Sequence, residues 1–139
     1  MASGVLLDTH VLQWWWCSPG LLSARVLRQL KDGEQLVVVS AVSWLELSVA
    51  LGGIAPPTGQ PATDVAELLR RMPQALADEG FTVLPVQLCH LQRAARLRGP
   101  HEGWSGWIDR LLVARAQQEG LQLISLDPAL AGWGEPLLW

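Results

Sequence analysis

Cysteine is scarce in this chain, lysine scarcer still, and no long uninterrupted apolar run is present. Cys17 and Cys89 stand far apart, outside any Cys-x-x-Cys or Cys/His pattern. They read as reduced thiols, which argues against both a zinc site and a disulfide framework. The most apolar stretch, "LVVVSAVSWLELSVALGGI", carries Glu46 near its middle, is interrupted by Ser40, Ser43, Ser48 and Gly52, and has no basic flank. A transmembrane helix is excluded on those grounds. The N-terminal residues lack a positively charged segment, and Asp8 and His10 break their apolar run. No signal peptide is expected, and the cytoplasm is the expected location.

Ten basic residues face thirteen acidic ones, for a net charge of −3. That is not the basic footprint usual for nucleic-acid binding. If four carboxylates served one metal site, however, the remaining balance would be +1, so charge alone excludes nothing. Lys31 is the sole lysine, and the other nine basic residues are arginines.

Half of the residues are apolar and 17% are charged, as in a globular protein. At this length a single domain over residues 1–139 is expected. Strand-length apolar runs ("GVLLD", "QLVVVS", "FTVLPV", "LQLISLD") alternate with amphipathic segments. Ser23 is a candidate N-cap for "LLSARVLRQLKDG" and Gly33 its stop; "SAVSWLELSVALGG" predicts a helix from about Ser43 to Gly52-Gly53. Thr63 or Asp64 begins a helix that Pro73 ends or kinks. In "QLCHLQRAARLRG" the apolar side is Leu88, Leu91, Ala94 or Ala95, and Leu97, with His90 on the surface. "GPHEGWSG" reads as a loop before the helix "WIDRLLVARAQQEG". This alternation predicts an α/β fold with a mainly parallel, buried sheet, whose sites form beyond the C-terminal ends of its strands.

Asp8 and Asp127 fall at two such ends. Each also has a purely structural reading: Asp8 as the N-cap of the following helix, Asp127 as an Asp-Pro turn initiator. Glu46 lies in the most apolar helix, where it is either on a solvated stripe with Ser43 or Gly53, or buried with a cation. Its i+3 and i+4 positions, Val49 and Ala50, supply no basic partner. Asp109 is placed in the first turn of a helix, where the helix dipole alone favours an acid. Taken together, two strand-end carboxylates and two helix carboxylates suit Mg²⁺ or Mn²⁺, which prefer oxygen ligands. A bound cation would offset the cost of burying Asp8 at the edge of a strand. Thr9 adds a hydroxyl beside it.

On these residues the chain resembles the PIN domain, and within it the VapC-type toxins of bacterial toxin–antitoxin pairs. "LLDTHVLQWW" is similar to the first motif, with Asp8 and its hydroxyl neighbour Thr9; "VSAVSWLELSVALGGI" to the second, with Glu46. "IDRLLVARAQQEGLQLISLDPAL" resembles the third and fourth, with Asp109, Asp127 and the hydroxyl of Ser125. Successive acids are 38, 63 and 18 residues apart. The resemblance implies a PIN-like α/β/α sandwich and Mg²⁺- or Mn²⁺-dependent endoribonuclease activity leaving 5′-phosphate and 3′-hydroxyl ends. Asp8, Glu46, Asp109 and Asp127 would be the catalytic metal ligands. It further implies homodimerisation and a cognate antitoxin that covers the acidic site in a toxin–antitoxin assembly. Many relatives carry Asp-Pro-Phe-Asp where this chain has Gly106-Trp107-Ile108-Asp109, with Glu102 as a possible substitute, and a lysine where it has Ala50.

Arg110 and His101 are candidate substrate contacts; Arg93, Arg96 and Arg98 read as solvated helix face, and His10 as a packed or solvated histidine. Trp14, Trp15 and Trp16 cannot all face one side of a helix, so at least one is expected to be exposed, suiting a dimer or antitoxin interface. Trp104, Trp107, Trp133 and Trp139 read as core or loop packing. Two rivals fail for want of lysine: phosphoacceptor receivers need a late one, and haloacid-dehalogenase-like phosphatases need one beside an Asp-x-Asp. The remaining alternative is a catalytically degenerate PIN-like domain that binds protein or RNA without cutting it.

Overall fold

Three successive apolar residues, Val5–Leu7, form the central strand β1, buried on both faces. A computed structural model describes residues 4–50, 64–99, 102–128, 130 and 137–138. Around β1 lie β2 (Val37–Ser40), β3 (Thr82–Leu84), β4 (Gln122–Ile124) and β5 (Leu137–Leu138). They run parallel throughout in the order β3-β2-β1-β4-β5. A parallel sheet requires crossovers, and the helices supply them: α1 (Thr9–Cys17), α2 (Ala24–Lys31), α3 (Ala41–Ala50), α4 (Asp64–Arg71), α5 (Gln74–Asp78), α6 (Leu88–Ala94) and α7 (Gly103–Glu119).

Alternation along the strands divides the core into two layers. Val5, Leu7, Val37, Val39 and Ile124 pack with residues of α1, α2, α4 and α5. Leu6, Val38 and Leu123 pack with Ala94 of α6 and the run Ile108–Ala116 of α7. The result is the α/β/α sandwich expected from the alternation of strands and helices. Because β1 neighbours both β2 and β4, the strand order reverses between β1 and β4. In parallel α/β sheets that reversal opens a crevice at the strand C-termini.

Local signals set most boundaries. The Ser23 hydroxyl accepts from the Val26 amide at 3.1 Å, so α2 starts where its N-cap predicts. Gly120 adopts φ 64° after α7, a left-handed stop that glycine takes without penalty. The α3 helix starts at Ala41, two residues before the expected Ser43, and Gly52-Gly53 and Thr63 lie outside the described residues.

Two helices differ from their expected form. The α7 helix begins at Gly103, so the second half of "GPHEGWSG" is helical rather than loop, and Asp109 sits in the second turn. In α6 the buried residues are His90 and Ala94, while Leu88 and Leu91 are exposed. His90 is therefore an interior residue, not a surface one. Its ring accepts from the Gln87 amide at 2.8 Å and meets the buried Arg115 guanidinium of α7. Arg115 also pairs with Glu119 at 3.4 Å. Burial, and then the Arg115 charge, hold the His90 imidazole below its ordinary pKa.

The tryptophans also depart from expectation. Trp14, Trp15 and Trp16 are all half-buried against the core, and Trp15 meets Phe81 with ring centroids 5.7 Å apart. Trp104 and Trp107 are exposed rather than packed; Trp133 and Trp139 lie outside the described residues. Neither Cys17 nor Cys89 is in a disulfide.

Candidate active site

Asp8 continues the β1 ladder, its amide donating to the Ile124 carbonyl at 3.0 Å, and then turns the chain into α1. Its side chain carries both readings at once. One carboxylate oxygen, Oδ1, accepts from the Thr9 amide at 2.7 Å, an N-cap contact. The other, Oδ2, accepts from the Ser125 hydroxyl at 2.6 Å, across the β1–β4 junction. Ser125 Oγ in turn accepts from the Asp127 amide at 3.0 Å. One buried hydroxyl thus ties two strand ends, 117 residues apart in sequence, into a single unit. Asp127 also opens a turn, its carbonyl accepting from the Leu130 amide at 3.2 Å.

Burial dominates the electrostatics here. Asp8 is 7% exposed, and its carboxyl is pushed above the ordinary carboxylate range despite hydrogen bonds from Ser125 and Thr9 and the His10 charge; Asp127 adds to the rise. Glu46 of α3 is half-buried and shifted upward too, first by burial, then by Asp8 and Asp109, against stabilisation from the Thr9 hydroxyl and His10. Asp8 interacts with Asp127, and Glu46 with both Asp8 and Asp109. The four acids expected from the sequence are thus linked in series, Asp127 to Asp8, Asp8 to Glu46 and Glu46 to Asp109. Among the described residues, no lysine or arginine is a cause of the Asp8 or Glu46 shift.

Two cavities open onto this group. One, of about 350 Å³, lies between Asp8, His10, Trp14, Leu126 and Asp127. The second, about 310 Å³, is lined by Thr9, His10, Gln13, Glu46, Val49 and Trp104. His10 borders both and is exposed; the sequence pattern assigned it no role. Another cavity of about 310 Å³, between Trp15, Lys31, Val37, Glu79 and Phe81, lies at the N-terminal ends of β2 and β3 and holds none of the four acids. The carboxylates, not cavity size, mark the site.

Several expected contacts resolve differently. Ser43 is fully buried, so Glu46 does not share a solvated stripe with it. The Arg110 guanidinium lies over the Trp107 ring, 5.5 Å from its centroid. His101 lies outside the described residues. Glu102 is exposed at the N-cap of α7, and Gly106 is buried. Arg93, Arg96 and Arg98 are exposed, as a solvated face requires.

The donor set consists of carboxylate oxygens alone, which suits a hard divalent cation and disfavours zinc or copper. Among the described residues, no group of three or more His, Cys, Asp or Glu side chains is placed to hold a metal ion as it stands. Like charges without a counter-ion repel, and Glu46 and Asp109 are both half-buried. The Ser125 hydroxyl braces the Asp8 side chain and the Asp127 amide on the strand side of the group.

Removing the brace has a defined expected cost. Ser125→Ala should destabilise the metal-free protein by about 1.5–3 kcal/mol near neutral pH, the range for a buried hydrogen bond to a charged group. The loss should shrink in acid, where a protonated Asp8 no longer needs the hydroxyl donor. Urea unfolding at pH 7.5 and pH 4.5 measures both.

The PIN domain family model matches residues 5–133. This chain belongs to the PIN domain family. Ribonuclease VapC22 of Mycobacterium tuberculosis (strain ATCC 25618 / H37Rv) is 27% identical over 132 residues, 95% of this chain and 93% of that protein. A solved toxin–antitoxin complex from Klebsiella pneumoniae has a chain similar to this one, with a TM-score of 0.62 and 15% identity, over 98% of this chain and 97% of that one. FitAB bound to an IR36 DNA fragment gives a TM-score of 0.61 at 19% identity, over 96% of this chain and 93% of that one. These structural likenesses bear out the PIN-like sandwich.

Proposed function

We propose that this PIN domain is an Mg²⁺- or Mn²⁺-dependent endoribonuclease and the toxin of a VapBC-type pair. The observation that carries the reading is the placement of Asp8, Glu46, Asp109 and Asp127. Asp8 and Asp127 stand at the strand ends beside the reversal point of the sheet, Glu46 interacts with Asp8 and Asp109, and burial holds the Asp8 and Glu46 carboxyls above their ordinary range. Carboxyls perturbed by burial and by one another in a crevice mark a candidate functional site. The similarity to a ribonuclease over 95% of the chain supports the reaction class.

Asp8 and Asp127 would hold the cation from the strand side, and Glu46 and Asp109 from the helices. When bound, such a cation activates water as a nucleophile and stabilises charge on the leaving oxygen in phosphodiester hydrolysis. The Ser125 hydroxyl favours the ionised form of Asp8 against burial, and the Thr9 hydroxyl does the same for Glu46. The acids themselves repel a phosphate, so RNA is expected to engage only after the cation has neutralised them.

The cognate antitoxin would dock over exposed apolar residues beside the acids: Leu45 and Val49 on α3, Trp104 on α7, and Leu126. Homodimerisation belongs to the same reading. Among the described residues no helix is long and apolar enough to cross a membrane.

Purified protein should cut a mixed tRNA, rRNA and mRNA pool with Mg²⁺ or Mn²⁺ and not with EDTA. Glu46→Gln should slow cutting about 100-fold, or about 2.7 kcal/mol of lost transition-state stabilisation. Cutting that survives EDTA, or that Glu46→Gln leaves intact, overturns the proposal. The second reading, a binding module that does not cut, is favoured by one observation: the acids are not in ligand geometry as they stand. Under it, Mn²⁺ raises the melting temperature of neither the wild type nor the variant.

A further inference from the structure

Ser43 is 0% exposed in the middle of the apolar helix α3. A buried hydroxyl needs a partner, and Ser43 has one in Thr9, whose hydroxyl lies 3.0 Å away and is itself 2% exposed. Stability alone does not ask for such a pair, because replacing both hydroxyls by apolar groups of similar shape is close to neutral. The pair has another use. Thr9 and Glu46 line the same cavity, and Glu46 follows Ser43 by three residues on one face of α3.

Thr9 therefore stands between two acids. Its amide donates to Asp8, and its hydroxyl favours the ionised Glu46. A hydroxyl has a single proton. When Thr9 directs that proton to Glu46, the 3.0 Å contact is satisfied only with Ser43 as its donor. The order of donation is then fixed: Ser43 to Thr9, Thr9 to Glu46. From this arrangement we infer that Ser43 is a positioning residue, which orients the Glu46 carboxylate toward the divalent cation through the Thr9 hydroxyl. The inference rests on the metal-dependent reading above and adds a role for a residue that does not touch the metal.

Four variants test it: Ser43→Cys, which keeps the volume but supplies only a weak donor; Ser43→Thr, which keeps the hydroxyl; Thr9→Val; and Ser43→Cys with Thr9→Val. Mn²⁺ affinity is read by water-proton relaxation. The Glu46 side-chain carboxyl ¹³C resonance is read in metal-free protein at one fixed pH, assigned by its loss in Glu46→Gln, with melting temperature as the folding control. Ser43→Cys should weaken Mn²⁺ binding about tenfold, the lower end for loss of a partner that orients a metal ligand. It should also shift the Glu46 resonance, and Ser43→Thr should restore both. Because the two hydroxyls act in series, the double variant should bind Mn²⁺ no more weakly than Thr9→Val alone. A Ser43→Cys protein with wild-type affinity and an unmoved resonance overturns the inference, as do additive losses in the double variant. If the wild type cuts no RNA while these results hold, the ribonuclease reading falls and the positioning role stands.

Discussion

Asp8→Asn is expected to abolish RNA cutting and, in metal-free protein near neutral pH, to raise the melting temperature. The two effects have one cause. Burial lifts the Asp8 carboxyl above the ordinary carboxylate range, so the folded state binds its proton more tightly than the unfolded chain does. Between the ordinary carboxylate pKa and the raised one, stability falls as pH rises, and above that window the full penalty persists. Asparagine carries no charge and escapes it. Its amide can still accept from Thr9 with the oxygen while donating to Ser125 with the nitrogen, so most of the geometry survives. The stability gap should close as pH falls below the carboxylate range, where aspartate is neutral in both states. Mn²⁺ should reverse the order, raising only the wild type. Activity should drop by about 10³-fold or more, about 4 kcal/mol, the scale of losing a metal's charge stabilisation. Melting curves at pH 4 and pH 7.5, with EDTA and with Mn²⁺, give the full pattern. An Asp8→Asn protein that melts below the wild type in EDTA at pH 7.5 would count against Asp8 as a strained, metal-ready carboxylate.

The strand-end acids were legible in the sequence because two periodic signals end there. Apolar runs stop at Leu7 and Ile124, and in a parallel sheet the residues just beyond a buried strand lie at the crevice. Asp109 was legible by spacing, though its place in the helix was not. Gly-rich "GPHEGWSG" resembles a loop, yet Gly103 uses a positive φ of 65° to enter α7, six residues before Asp109. That shift removes the helix-dipole explanation, since the dipole's effect fades within the first turn. The inner face of α6 was illegible for a different reason. Its buried side holds His90 against Arg115, a polar pair that hydropathy assigns to the surface. The hydroxyl links were out of reach altogether. Ser43 meets Thr9 across 34 positions and Ser125 meets Asp8 across 117, and nothing in local pattern announces either contact. The sequence conveyed the expected acids; the fold adds the hydroxyl contacts of Ser125 with Asp8 and of Ser43 with Thr9.

Leu6→Ala is expected to produce the largest loss of stability, about 3–5 kcal/mol. Leu6 is 0% exposed in the central strand, level with Val38 on one side and Leu123 on the other, and it packs in the same layer as α7. The sheet backbone around it is hydrogen-bonded on both sides and cannot collapse into the space that a truncated side chain leaves. A domain of this kind is stable by only about 5–15 kcal/mol, so a third or more of the margin would go. The urea midpoint should fall with little change in slope, as for a loss of packing without a change in the surface exposed on unfolding. Function should be lost with it for a geometric reason. Asp8 lies two residues beyond Leu6, just past the end of β1, and its 2.6 Å bond to Ser125 requires β1 and β4 to hold their register. Leu6→Ala should therefore weaken the Mn²⁺ response together with stability, whereas Glu46→Gln should weaken the Mn²⁺ response and leave the urea midpoint near the wild-type value or above it. A loss below about 1 kcal/mol on Leu6→Ala would mean that β1 is not the buried centre on which the acids are aligned.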